Sequence, residues 1–174
     1  MTTPATTRPT DAALRLESAA LWQFSLSLYP QVKTLCLRWQ DSYQANVNVL
    51  LALCYAERLG WQLTPDALAQ ASLPLSALNS QITQALRQCR RQLPALPLAH
   101  QQQLLLKQSL LNTELLAEQL EQQLLCTHLH FTANTAANNL ALYLQYLQLP
   151  TTSALAADII DLRQACTRIP LSSE

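Results

Sequence analysis

Four polar side chains crowd one short stretch of an otherwise apolar helical pattern: Gln40, Asp41, Asn46 and Asn48, within CLRWQDSYQANVNVLLALC at 36–54. One carboxylate and three amides are a poor ligand set for a metal. They can, however, converge on a small ligand or a peptide terminus, with Trp22, Tyr29 and Trp39 as aromatic walls. The same residues also suit helix ends. Asn46 is placed to cap a helix that starts just after it, and Asp41 or Ser42 to close the one before. Gln40 can satisfy terminal carbonyls, and Asn48 can bond back across the hairpin. On the capping reading Asn46→Ala costs about 1 kcal/mol, and Asn46→Asp is tolerated because negative charge favours a helix start.

Other chemistry-bearing residues are fewer. Arg87, Arg90 and Arg91, with Lys107, form a small basic cluster that could touch phosphate or RNA; basic residues also suit the C-terminal end of a helix. Cys126, His128 and His130 alternate two apart, a spacing that sends side chains to different faces of a helix, so no zinc site is expected. Asp158 and Asp161 are read as favourable negative charge early in the last helix. No serine, cysteine or histidine stands in a context that marks a nucleophile. No catalytic residue, metal or cofactor is expected.

The rest of the composition narrows the classes. The chain has 174 residues, enough for one domain with a real core, and 49% are apolar. Only 13% are charged and the formal net charge is zero, so no global field steers it to nucleic acid or anionic lipid. Gly60 is the single glycine. Phosphate loops, dinucleotide turns and nucleophile elbows all need glycine, and none can exist here in standard form. Five widely spaced cysteines, an unpaired number, read as buried thiols in a reducing compartment. The start, MTTPATTRPTD, has no apolar signal core, and VLLALCYA (49–56) is too short to cross a bilayer. A cytoplasmic protein with no membrane association is expected.

The elements that must hold these residues are helices. A Thr- and Pro-rich flexible tail at 1–10 precedes one all-α domain at 11–170, a compact bundle of about seven to eight helices without a sheet. Asp11 is the expected cap of a helix at 12–29, and Pro30 is expected to open a second at 30–40. A third runs from 46 to 59, stopped by Gly60. Pro74 is expected to separate a short helix ending near 71 from another at 75–93. A long helix near 99–129 follows, with Leu106, Leu110, Thr113, Ala117, Leu120 and Leu124 at three-four spacing. Two more lie at 135–148 and 153–168. Trp22, Phe24, Leu28, Leu35, Trp39, Val47, Leu50, Leu51 and Cys54 share the spacing of one core.

LWQFSLSLYPQVKTLCLRWQD followed by ANVNVLLALCYAERLG, roughly residues 20–62, resembles the signature of a proteobacterial family, the domain of unknown function 2390. The resemblance rests on Leu21-Trp22, Phe24-Ser25, Leu28-Tyr29, Cys36-Leu37, Gln40-Asp41 and Val47 through Leu51. Where the family usually reads Gly-Ala-Asp-Val, this chain has Gln44-Ala45-Asn46-Val47. The family implies no established activity. The leading expectation is therefore a non-enzymatic accessory factor whose partner is another protein. The alternatives are a small-ligand-binding or enzymatic module centred on Gln40 to Asn48, and an RNA- or ribosome-associated factor using Arg87 to Arg91.

Overall fold

The computed structural model describes residues 13–171. The expected tail at 1–10 and the cap Asp11 lie outside the described residues. Helix α1 spans Ser18–Tyr43 and opens on Glu17, whose carboxylate accepts from the Ala19 and Ala20 N–H groups. It continues through Pro30. Helices α3 (Ala67–Leu78) and α4 (Gln84–Gln92) are likewise one continuous rod that contains Pro74 and is joined by a π turn at Asn79–Thr83. The expected breaks at Pro30 and Pro74 are therefore absent, and the described residues form six helices rather than seven to eight. The reason is placement. Each proline deprives one carbonyl of its helical donor, that of Leu26 or Gln70, and both residues are exposed, where solvent can supply the bond.

The remaining helices are α2 (Val47–Arg58), α5 (His100–His128), α6 (Asn139–Tyr146) and α7 (Ser153–Thr167), with a 3-10 turn at Leu93–Ala95 between α4 and α5. Helix α2 is central: Val49 through Cys54 and Ala56 are all buried, and it packs against α1, α5, α6 and α7. Around it Phe24, Leu28, Trp39, Leu50, Leu51 and Cys54 share one core, with Leu35 and Val47 partly buried against it. Trp22 departs from that expectation and stands half-buried outside the cluster.

A sheet also exists, contrary to expectation. β1 (Trp61–Leu63) pairs antiparallel with β2 (Phe131–Ala133), and Leu14 adds an isolated bridge to Phe131. Two three-residue strands carry too little alternation to be seen in a sequence. They form where α2 and α5 end side by side; Gly60, at φ 71°, turns the chain out of α2 and accepts from the Asn134 N–H at 2.7 Å. No described helix is long and apolar enough to cross a membrane.

Asp158 ties α7 to α1. It accepts from the buried Trp39 indole N–H at 2.7 Å and from Arg38. It lies mid-helix, while Thr152 caps α7; its role is to hold a buried N–H rather than to complement a helix end.

The join between α1 and α2 carries backbone strain. Gln44 has φ 58°, in the left-handed region, and its N–H closes on the Gln40 carbonyl while that of Ala45 reaches Trp39. That is the conformation a C-terminal glycine adopts without cost. Gln44→Gly is expected to raise the unfolding free energy by about 1 kcal/mol, read as a higher urea midpoint with unchanged slope.

Candidate functional site

The sequence answers the question of Asn46 locally. Its Oδ1 accepts from the Val49 N–H at 3.2 Å, so it is the N-cap of α2. What the sequence does not show is where the rest of the cluster points. Asn48 does not bond across the hairpin. Its Nδ2 donates to Glu121 of α5 at 2.9 Å, and its Oδ1 accepts from Gln122 Nε2 at 3.0 Å. Asn46 Nδ2 approaches the same Glu121 oxygen at 3.4 Å.

Glu121 is 1% exposed and gathers four donors. Besides the two from α2, Asn79 Nδ2 reaches it at 3.0 Å and Thr83 Oγ1 at 2.5 Å. All four partners donate, which matches a carboxylate, whose oxygens only accept. The π turn is what brings Asn79 and Thr83 to it. There the Gln84 N–H bonds the Asn79 carbonyl five residues back, widening the rod by one residue at this level.

Beside Glu121 opens a cavity of about 270 Å³. Its floor contains Ser25, Asn48, Glu121 and Gln122, all buried. Trp22 and Tyr29 stand along its side, and the exposed Leu26 and Leu115 flank its mouth. Gln40 and Arg87 lie toward one edge: Arg87 donates to Gln40 Oε1 at 3.2 Å and to Glu118 at 2.5 Å. Burial, and then the Glu118 charge, raise the Tyr29 phenol above its ordinary range. Gln122 Nε2 spends its donors on Ser25 Oγ at 2.9 Å and on Asn48. Its Oε1 is buried without a hydrogen-bond partner.

Of the residues singled out from sequence, Trp22, Tyr29, Gln40, Asn46 and Asn48 line this one cavity. Trp39 and Asp41 do not. Trp39 is fully buried against Asp158, and Asp41 is exposed. Arg87 joins the cavity edge, Arg90 forms a two-bond pair with Glu114 at 2.6 and 3.1 Å, and Arg91 is exposed. Sequence reading missed Glu118, Glu121 and Gln122. Of the apolar stripe expected on α5, Ala117 alone is buried; the face that turns inward is Glu114, Ala117, Glu121, Gln122, Leu125 and Cys126. The available signal was a set of glutamates at helical spacing with Ala117 and Leu125, in a chain with few charges.

Among the described residues no group of three His, Cys, Asp or Glu is placed to hold a metal ion. Burial pushes the Cys36 thiol up to about 12 and Cys126 up to about 11, and the Cys166 thiol with burial raises Cys54. Such thiols are poor nucleophiles near neutrality.

Two stability measurements test this geometry. Asn46→Ala is expected to cost about 1 kcal/mol through the lost cap. Asn46→Asp, which simple capping would tolerate, is expected to cost more than Asn46→Ala, because it sets a second carboxylate against Glu121. Urea unfolding of both variants orders them. Asp41→Asn, on an exposed side chain, is expected to change stability by less than about 0.5 kcal/mol in the same assay.

No curated protein matches the chain, and no solved structure does. The sequence model of the family described as protein of unknown function (DUF2390) matches residues 20–125, well beyond the N-terminal signature and through most of α5. The chain belongs to that family.

Proposed function

We propose that the chain is a non-enzymatic cytoplasmic binding protein that takes a small ligand into the cavity between α1, α2 and α5. The observation that carries this reading is Gln122. A buried amide oxygen without a partner costs stability, and it stands in the polar floor of a cavity with an aromatic side. The raised thiols of Cys36, Cys54 and Cys126, buried away from solvent, support binding rather than catalysis.

A second reading, an accessory factor that docks on another protein, is favoured by α5. From His100 to Thr113 this helix buries none of its side chains, and Leu104, Leu105, Leu111, Leu115 and Leu116 are exposed along it. The RNA reading has the least support. Arg87 and Arg90 are each paired with a glutamate, which leaves Arg91 and Lys107 as the members of that cluster with no carboxylate partner among the described residues.

The test is a fragment screen by thermal shift on the wild type and on Leu115→Trp, which places a bulky ring at the exposed mouth without touching the core. Fragments that raise the melting temperature of the wild type are expected to lose at least about tenfold in affinity in Leu115→Trp, the effect of about 1.4 kcal/mol. A screen in which every hit binds both proteins equally would remove the cavity as the site.

A further inference from the structure

Among the described carboxylates that are not exposed, all but one are ion-paired. Glu57 is paired with Arg163, Glu114 with Arg90, Glu118 with Arg87 and Asp158 with Arg38. Glu121 is more buried than any of them, and among the described residues it has no cationic partner. Its donors are three neutral amide groups and one hydroxyl. They occupy its lone pairs and leave its charge unbalanced.

The orientation of the floor follows from that. Asn48 must turn its amide nitrogen to Glu121, so its oxygen faces Gln122. Gln122 must therefore present its nitrogen to Asn48, which fixes its Oε1 as the atom left over. The amide donors of Asn48 and Gln122 are thus spent on Glu121, Ser25 and Asn48, and what remains is a buried acceptor backed by a negative charge. Arg87 does not reverse this sign, because Glu118 matches it at the edge. Leu26, Leu115, Trp22 and Tyr29 supply the apolar and aromatic part of the lining, beside Gln40, Arg87 and Glu118.

We infer that the cavity takes a small primary ammonium compound with an aryl or alkyl body, its head at the polar floor in the field of Glu121 and its body against Trp22 and Tyr29. The inference rests on the reading of the cavity as a ligand site and names the ligand's class. Ammonium donors make the stronger, charge-assisted form of the bond Gln122 can accept, and aromatic faces attract cations. The same head group occurs on free amines and on peptide amino termini.

Calorimetric titration of the wild type near pH 7 with 2-phenylethylamine, 2-phenylethanol and 3-phenylpropionate tests it. The amine is expected to bind at least about tenfold tighter than the alcohol of the same shape, and the propionate more weakly than either. Leu115→Trp is expected to weaken the amine by about the same factor, and Glu121→Gln, assayed below its melting temperature, to shrink its advantage over the alcohol. Phe-Gly-Gly with a free and with an acetylated amino terminus separates the sources: tighter binding of the free peptide than of phenylethylamine assigns the head group to a peptide. Equal binding of amine and alcohol, or tighter binding of the propionate, overturns the inference. If that binding is still lost in Leu115→Trp, the cavity stands as a site and only the ligand class falls. Failure of the amine to bind at millimolar concentration, while other fragments bind in a Leu115-dependent way, has the same meaning.

Discussion

A carboxylate with no countercharge among the described residues sits almost fully buried where α2, α5 and the α3–α4 rod meet. Ionised groups in such places are costly unless hydrogen-bonded on every side. Glu121 meets that condition only because Asn46 and Asn48 come from one helix start and Asn79 and Thr83 from a π turn. Displacement of either element would leave the carboxylate short of donors. The relative placement of three helical segments is thereby coupled to one side chain, a stronger constraint than the apolar contacts around it, which tolerate exchange of similar shapes.

Some local irregularities of the backbone lie around that carboxylate, while another, Gln148 at φ 56°, follows α6 and does not line the cavity. Gln44 holds a left-handed conformation so that α1 can end and Asn46 can begin α2 at once. The π turn adds a residue to the α3–α4 rod at the level of Glu121. Pro30 lies beside the cavity within a helix it does not break. Irregular backbone of this kind often accompanies sites, and the cavity lies beside Gln44 and the π turn.

How much of this was legible depends on distance along the chain. The Asn46 cap was readable because its partner, Val49, is three residues away. The Gln40–Asn48 cluster was visible as unusual polarity, and Trp22 and Tyr29 as its aromatic neighbours. Glu121 was not, because its donors lie 38 to 75 residues away and nothing local marks it. Prolines misled the helix count, since a sequence does not show whether the deprived carbonyl faces solvent. Asp41, the most chemically conspicuous member of the cluster, is exposed, and Trp39 turns to Asp158 on another helix. Helical period alone could not separate the face of α1 that meets α7 from the one that lines the cavity.

The most direct measurement is the unfolding free energy of Glu121→Gln by urea denaturation. The amide is the same size but turns a donor toward donors, and Asn48 cannot flip to meet it without releasing Gln122. A carboxylate that organises three helical segments predicts a loss of about 2 kcal/mol, with the helical content of the folded state retained. Stability equal to or above the wild type would show that the charge is dispensable to the fold, and would contradict the central place given to Glu121.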